Sequence, residues 1–277
     1  MKEFDYDEYL SLAKVPSGAI IDVVSDLLSL MRYCQQYDLR FDVDNLIDAL
    51  KRMVGSEGTV MIRTFSWEFC RGIPFDIRNT KSAVGALGNA ALKRSDFRRT
   101  RHPIYSWMVW GKHQEELCTF QNINSFGKGS VFDYLEKAHA IQLTVGIPNT
   151  HGWTMCHHAE VMGSVPYRKE KFFEADYIDE EGIRTHGVYS MHVRPLNIEV
   201  DGKIRGSAES IERYAEKGIR KSRLYKNEMP IVTLDEHLLF EFIKNDIQNN
   251  DGKNTISVDG IPGIRACGVD WDEVVYY

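Results

Sequence analysis

The sequence has no long apolar run and no apolar leader. No hydrophobic stretch approaches the roughly 20 residues that a helix needs to span a bilayer. The first ten residues, MKEFDYDEYL, are acidic and lack the apolar core of a signal peptide. We therefore expect a cytoplasmic protein with no membrane partner.

Paired cysteines are also missing. The five cysteines are scattered and never form a CxxC motif: Cys34, Cys70, Cys118, Cys156 and Cys267. The odd number and the spacing argue against a disulfide framework and a thiolate zinc site, so most of these side chains are expected to fill the core. Cys156 stands beside His157, which raises the alternative of a Cys/His nucleophile pair. Adjacent residues on a helix point about 100° apart, so we expect the two side chains to diverge.

The chain has no basic excess. Its formal net charge is -6, which argues against a nucleic-acid partner. Hydrophobic residues make up 43% and charged residues 27%, as in an ordinary soluble globular protein. The one basic segment, KRSDFRRTRH at 93–102, has two interpretations: a solvated helix end, or a site for phosphate groups on a small ligand.

Strands and helices alternate along the first part of the chain. Ile20–Val24 is a β-branched run that leads into a helical pattern from Leu27, and Asp44 is placed to cap a second helix. Thr59–Thr64 follows as a buried strand. This order predicts an α/β protein with a mixed central β-sheet flanked by helices.

Further elements complete the predicted core. The small-residue segment 80–93 is expected to be helical, and His102–Trp110 is expected to be a strand. The loop Phe126–Ser130 (FGKGS) opens a helix that Ser130 caps, and its free N–H groups and lysine suit an anion. The strand IQLTVGI then leads into the segment that carries His157.

The character of the sequence changes after Gly163. Residues 172–203 alternate polar and apolar side chains between glycine turns, which predicts antiparallel strands. Helices are predicted at 207–218 and 234–249, the second with Thr233 and Glu236 at capping-box spacing. We expect two interlocked parts, 1–163 and 164–277, that form one domain with an antiparallel and helical C-terminal lobe.

His157 and Glu160 lie three residues apart on a predicted helix, so their side chains share one face. Histidine exchanges protons near neutral pH, and a neighbouring carboxylate orients and polarises its ring. This spacing favours a general base with its supporting carboxylate. The alternative is a core histidine beside a surface glutamate.

A metal site is the second interpretation of the same segment. His151, His157, His158 and Glu160 are zinc-ligand types, and a metal-dependent hydrolase that uses His151, His157 and Glu160 is the alternative function. A helix that binds zinc usually presents ligands at i and i+4, whereas these histidines are adjacent. We therefore expect no metal.

Two further groups of side chains have open interpretations. Thr64 and Ser66 place hydroxyls after a buried strand, where α/β proteins bind ligands, or they simply face solvent. Glu209 and Glu212 either offer negative charge to an amino sugar or belong to a solvated helix face.

Several segments, in this order, resemble the aminoglycoside 3-N-acetyltransferase family. The matching pieces extend over residues 18–163 and are GTVMIRTFSW, TKSAVGALGN, RRTRHPIYSWMVWG, SFGKGSVFDYL and TMCHHAE. The resemblance implies the antibiotic N-acetyltransferase fold. It also implies an acetyl-CoA-dependent enzyme that acetylates a primary amine on a small, sugar-like acceptor. Another short acyl group, supplied by its acyl-CoA, remains open as the alternative.

The resemblance also assigns roles to residues. The family's His-x-Ala-Glu element falls on His157, Ala159 and Glu160, with the histidine as the base that deprotonates the amine. The positions that match the family's cofactor contacts are Ser25, Asp26, Leu27, Thr64, Ser66, Arg99, His102, Ser106, Phe126, Gly127 and Ser130. Residues 1–163 then hold the CoA and catalytic motifs, and 164–277 complete the acceptor site, with Glu209 and Glu212 as substrate-binding residues.

Two positions depart from the family pattern. Resistance enzymes of the family usually read His-Ser-Ser-Leu where this chain has Val24-Ser25-Asp26-Leu27, and commonly carry glutamate in place of Asn89. The resemblance therefore leaves two acceptors open: an aminoglycoside, or a nucleotide-linked amino sugar for surface polysaccharide.

Overall fold

The computed structural model describes residues 1–148, 154–201, 203–265 and 268–276, without the side chains of residues 203 and 204. The strands in these ranges are β1 (Lys2–Glu3), β2 (Ile20–Ser25), β3 (Leu39–Arg40), β4 (Thr59–Arg63), β5 (Phe75–Asp76), β6 (Arg98–Arg99), β7 (Trp107–Gly111), β8 (Ile141–Val145), β9 (Lys169–Ile178), β10 (Arg184–Val193), β11 (Val200–Asp201), β12 (Arg220–Tyr225), β13 (Met229–Asp235), β14 (Ser257–Val258) and β15 (Ile261–Pro262).

The α-helices in the same ranges are α1 (Tyr6–Ser11), α2 (Leu27–Gln36), α3 (Val43–Val54), α4 (Ala86–Ala91), α5 (Gln114–Cys118), α6 (Val131–Lys137), α7 (Met155–Met162), α8 (Ala208–Glu216) and α9 (Glu236–Asn250). Among the described residues, no helix combines the length and the apolar character that crossing a bilayer requires.

A seven-stranded mixed sheet forms the centre of the molecule, in the order β12-β13-β8-β2-β4-β7-β6. Strand β2 runs parallel to its neighbours β4 and β8, whereas the other neighbouring pairs are antiparallel. This architecture confirms the predicted fold class. The carboxyl ends of β2, β4 and β8 meet at one edge of the sheet, where α/β proteins usually bind ligands.

Helices cover both faces of the sheet. On one face α1 to α4 contribute Tyr9, Leu30 and Leu50 to a buried cluster with the sheet. On the other face α6, α7 and α9 contribute side chains such as Phe132 and Phe240 to a second cluster. Burial on both faces explains why the β-branched runs of β2 and β4 could be recognised from the sequence.

Two predicted helix starts are wrong by one turn or less. Helix α3 is capped by Asp42, whose Oδ1 accepts the Asp44 N–H at 3.0 Å, so Asp44 lies inside the first turn. Helix α9 is capped by Asp235, whose Oδ1 accepts the Leu238 N–H at 2.9 Å. Thr233 cannot cap this helix because it lies in β13, where it pairs with Leu143 of β8.

Two other segments are less regular than predicted. In the segment 80–93 only Ala86–Ala91 is helical, because the Asn89 side chain binds the backbone of Ser82 and Gly85 and folds the preceding residues back. The strand predicted at 102–110 begins only at 107. His102 Nδ1 accepts two backbone N–H groups from the residues that follow Pro103, which bends the chain there.

The residues after 163 build part of the central sheet. β12 and β13 extend it beyond β8, and the long hairpin β9–β10 confirms the predicted antiparallel segment. The core thus draws on both sides of the expected boundary at residue 163. The division into 1–163 and 164–277 stays a prediction.

Candidate active site

A cavity of about 800 Å³ opens at the carboxyl edge of the sheet. Ser25 at the end of β2 and Arg63 at the end of β4 line it, together with His157 in the first turn of α7. Helix α7 follows β8 after a loop, so the three parallel strands deliver these side chains to one place.

His157 lies on the wall of this cavity with its side chain 29% exposed. Its Nδ1 is 3.0 Å from Glu160 Oε2, and the ring stands edge-on to Phe126 at a centroid distance of 5.5 Å. Nε2 makes no hydrogen bond with any described residue. The imidazole is therefore held through one nitrogen while the other is available to a ligand.

Glu160 is 2% exposed and is held from three sides. Arg168 donates from Nε to Oε2, Arg205 donates from Nη1 to Oε1 at 2.9 Å, and His157 contacts Oε2. Burial alone would raise the pKa of this carboxyl, but the two guanidinium groups outweigh burial and hold the pKa well below its usual range. Glu160 is thus an ionised carboxylate in the interior.

The pKa of His157 reflects opposing neighbours. Burial and the adjacent Arg168 lower it, whereas Cys156 and Glu160 raise it by more, so the pKa lies above its ordinary value. A base with a raised pKa accepts protons more strongly, but it is neutral only at higher pH.

Cys156 is fully buried, and its Sγ lies 3.6 Å from His157 Nδ1. The expectation that these side chains diverge is therefore wrong, because the imidazole turns back over the helix. Burial raises the pKa of the thiol, and Arg205 and His157 lower it by more, so the net direction is downward. The thiol is not part of the cavity lining, so an acyl donor in the cavity does not reach it.

A buried ion pair supports the floor of the cavity. The Arg63 guanidinium binds both carboxylate oxygens of Asp22, and its Nη1 donates to Thr154 Oγ1 at 3.0 Å just before α7. Trp107 Nε1 donates to Asp22 at 2.8 Å. These contacts tie β2, β4, β7 and the start of α7 together, which fixes the helix that carries the imidazole.

Comparison with known proteins connects this geometry to a family. The family model described as aminoglycoside 3-N-acetyltransferase matches residues 24–241, which is most of the chain. The chain belongs to the aminoglycoside 3-N-acetyltransferase family. This confirms the predicted family, the acetyl-CoA-dependent N-acetyltransferase class and acetyl-CoA as the co-substrate.

Solved structures show the same fold. AAC-IIIb in a binary complex with CoASH is 19% identical, with a TM-score of 0.69 over 88% of this chain and 95% of that chain. AAC-VIa with bound sisomicin is 15% identical, with a TM-score of 0.70 over 88% and 97%. The YokD protein from Bacillus subtilis is 19% identical, with a TM-score of 0.67 over 88% and 98%. Among curated protein sequences, none matches this chain significantly.

The structure brings only part of the expected cofactor set of this acetyltransferase to the cavity. Ser25 lines it. Asp26 caps α2 by accepting two backbone N–H groups, and Leu27 is buried beside it. Thr64 is buried with its Oγ1 3.2 Å from Ser106 Oγ. Their contact with a cofactor stays a prediction.

A second part of that set forms internal hydrogen bonds. Arg99 is 5% exposed and donates to Ser106 Oγ and to the carbonyl oxygens of Thr64 and Thr80. His102 is 1% exposed, and burial lowers its pKa to about 4, so it is neutral. These residues shape the end of β4 and the bend before β7. Their family-derived role as cofactor contacts finds no support in this geometry.

The loop Phe126–Ser130 uses two of its backbone N–H groups internally. The Gly127 N–H donates to His158 Nδ1, and the Gly129 N–H donates to the Asp133 carboxylate at 2.9 Å. Ser130 caps α6 as predicted. Contact of Phe126, Gly127 and Ser130 with a cofactor stays a prediction.

Ser66 lies outside the main cavity, on a small depression of about 250 Å³ that Arg71 and Lys81 also line. Glu209 is exposed and pairs with Arg213, and Glu212 is exposed on the same helix. Neither glutamate lines the cavity. Their proposed contact with substrate finds no support here.

The ligand atoms of Cys156, His157 and Glu160 lie within 4.8 Å of one another, a grouping that could hold a metal ion. His151 lies outside the described residues. His158 is buried, stacks on Phe240 and accepts a backbone N–H at Nδ1. Both oxygens of Glu160 are held by arginines, which disfavours a cation there. The hydrolase alternative therefore finds no support, and the family is one of transferases.

Sequence reasoning missed three arginines that line the cavity: Arg168, Arg194 and Arg205. They come from the start of β9, the end of β10 and the segment before α8. Arg168 lies in the run YRKEK, whose density of charged residues is typical of an exposed segment. No regular sequence spacing relates any of the three arginines to Glu160. Their position in the same cavity as Glu160 is therefore seen only in the folded chain.

Proposed function

We propose that this acetyltransferase transfers an acetyl group from acetyl-CoA to a primary amine of an amino sugar, with His157 as the general base. The observation that carries the proposal is the contact between His157 Nδ1 and the ionised Glu160, at 3.0 Å, on the wall of a cavity of about 800 Å³. A carboxylate in this position holds the ring tautomer and stabilises the imidazolium that forms.

The proposed reaction uses Nε2 of His157, the ring nitrogen that makes no hydrogen bond with a described residue. His157 Nε2 removes a proton from the acceptor nitrogen as that nitrogen bonds to the thioester carbonyl carbon. The carbon–sulfur bond breaks, and the imidazolium returns a proton to the departing CoA sulfur. No covalent enzyme intermediate is required, in agreement with the burial of Cys156 away from the cavity.

The cavity lining contains two kinds of side chain, which suit two substrates. Its apolar part, here called the apolar wall, includes Val23, Val24, Ile62, Val84 and Leu87. Its polar part, here called the charged wall, includes His157 and the charged residues from the C-terminal part of the chain. We assign the apolar wall to the thioester end of acetyl-CoA, and the charged wall to the amine acceptor.

Structural neighbours support two substrates of these kinds in this fold. CoASH is bound in the AAC-IIIb structure and sisomicin in the AAC-VIa structure, and both share the fold. A nucleotide-linked amino sugar used in surface polysaccharide is the second candidate acceptor. The Ser25-Asp26-Leu27 sequence at the end of β2 favours it, because this segment differs from the His-Ser-Ser-Leu pattern of resistance enzymes.

A thiol-release assay with acetyl-CoA tests the proposal, with aminoglycosides and nucleotide-linked amino sugars offered in parallel. His157→Ala should lower kcat by about 10²–10⁴-fold, the usual contribution of a general base, and leave CoA affinity within about twofold. His186→Ala is the matched control, because that histidine is exposed on β10 and is not part of the cavity lining. A loss of less than about fivefold in His157→Ala would remove this residue from the role.

A further inference from the structure

The charged wall of the cavity has an excess of cations. Arg63, Arg168, Arg194 and Arg205 line the cavity, against two carboxylates among the described lining residues, Glu160 and Asp201. The positive charge of Arg63 is neutralised by the carboxylate of Asp22, which is fully buried. The other three arginines belong to the charged wall, which we assign to the acceptor.

Glu160 provides one negative charge for two guanidinium groups. The side chains of Arg168 and Arg205 are 11% and 7% exposed, and each binds one oxygen of Glu160. With His157 neutral and Cys156 as the thiol, the group of Glu160, Arg168 and Arg205 keeps one uncompensated positive charge. A buried charge without a counter-ion is costly, so a bound anion would stabilise the site.

Arg205 also has an unused donor. Its Nε is buried and has no hydrogen-bond partner among the described residues, although the side chain lines the cavity. Buried donors of this kind are rare in folded proteins and often point to a ligand.

Arg194 adds a second cation. It is exposed, follows directly after β10, and forms no ion pair with any described residue. Asp201 lies on the same wall and already has a partner. Even if the negative charge of Asp201 neutralises Arg194, the positive charge on the group of Glu160, Arg168 and Arg205 remains.

We propose that the amine acceptor carries a phosphate group, which binds the wall formed by Arg168, Arg194 and Arg205. The inference rests on the proposed function and narrows its substrate class. Guanidinium groups match phosphate oxygens in geometry and charge. A polycationic acceptor would instead need carboxylates on this wall, and Glu209 and Glu212 do not reach it.

The phosphate belongs to the acceptor and not to acetyl-CoA. In acetyl-CoA the whole pantetheine arm separates the phosphates from the thioester. Arg168 and Arg205 contact the carboxylate that supports the base, so a thioester placed for reaction keeps its own phosphates far from them. An amino sugar bearing a phosphate can place its amine at His157 and its phosphate on the arginines at the same time.

Calorimetry with inorganic pyrophosphate tests the anion site directly, on enzyme saturated with CoA so that the donor side is occupied. Pyrophosphate should bind this complex, and Arg194→Gln should weaken its binding about tenfold. Arg184→Gln is the matched control, since this exposed arginine lies at the opposite end of β10 and should change nothing. Absence of binding, or equal binding to Arg194→Gln, would overturn the proposal.

Matched acceptors provide the second test: glucosamine, its 1-phosphate and 6-phosphate esters, and a polycationic aminoglycoside. We expect a kcat/KM at least tenfold higher for a phosphorylated ester than for glucosamine, and a raised KM for that ester in Arg194→Gln. A preference for the aminoglycoside, or a raised KM for acetyl-CoA alone, would contradict the proposal. If no amine releases thiol, the proposed function fails, whereas the calorimetric result on the anion site still stands.

Discussion

Arg168 Nη2 lies 2.7 Å from Nδ1 of His157, the ring nitrogen that Glu160 Oε2 approaches at 3.0 Å. A neutral imidazole nitrogen either donates or accepts, so the two contacts call for opposite tautomers. Proton removal through Nε2 requires the hydrogen on Nδ1, and hence the bond to Glu160. Arg168 then acts as a nearby cation that opposes formation of the imidazolium.

Removal of this cation should shift the pH profile upward. Arg168 lowers the pKa of His157, so in Arg168→Gln the pKa rises and the acid limb of kcat/KM moves to higher pH. Arg168→Lys keeps the charge and should shift the limb less. The pH dependence of kcat/KM measures both, and a downward shift in Arg168→Gln would contradict the electrostatic argument.

Glu160→Gln should act in the opposite direction. Glu160 raises the pKa of His157, so the acid limb should move to lower pH while kcat falls, because a neutral amide stabilises the imidazolium less. Two buried arginines lose their counter-charge in this variant, so we also expect destabilisation of about 3–5 kcal/mol. The kinetic measurements are therefore made below the unfolding temperature of the variant, where the enzyme is folded. An unmoved limb in folded enzyme would show that Glu160 does not support the ring.

Cys156→Ala separates base catalysis from a thiol nucleophile. The buried Sγ is outside the cavity lining, so kcat should fall by less than about fivefold. Cys156 raises the pKa of His157, and its removal should move the acid limb to lower pH. Loss of nearly all turnover, together with an acetylated thiol in mass spectra of the wild-type enzyme, would establish the nucleophile instead.

Glu236 gives a prediction on stability. It is fully buried near Arg63 and Asp22, and burial, with the Asp22 charge, raises its pKa well above the ordinary value. The folded protein then keeps a proton that the unfolded chain releases above about pH 4.5. The unfolding free energy should therefore fall as pH rises from there toward the folded pKa.

Glu236→Gln removes this proton linkage while keeping the shape of the side chain. Relative to wild type, the variant should gain stability as pH rises, up to about 1.4 kcal/mol per pH unit within the window. Urea unfolding at pH 5 and pH 8 measures the difference. A difference that is the same at both pH values would mean that Glu236 is ionised in the folded protein.

The sequence predicted the parts of the fold that are locally encoded. The runs that form β2, β4 and β8 are short, rich in β-branched and apolar residues, and interrupted by few polar ones, a pattern typical of strands buried on both faces. The three-residue spacing of His157 and Glu160 was enough to place them on one helical face, which the 3.0 Å contact bears out.

Other features depend on contacts that no local pattern contains. The segment before α4 is turned back by one amide, that of Asn89, and the bend before β7 depends on the His102 ring. Arg168 and Arg205 meet Glu160 across separate elements of the chain. The family resemblance identified the enzyme class correctly, but it assigned ligand contacts to side chains that this fold uses internally, such as Arg99.

The partners of Glu160 come from later parts of the chain, so the ribosome synthesises them after Glu160 itself. When the ribosome has completed α7, His157 and Glu160 are already present, but both guanidinium partners of Glu160 still lie downstream, at residues 168 and 205. The strands β13, which pairs with β8, and β12, which pairs with β13, are later still. A nascent or truncated chain that ends before residue 205 therefore has Arg168 alone as the arginine partner of this buried carboxylate, and we expect acetyl transfer only once nearly the whole protein has been synthesised.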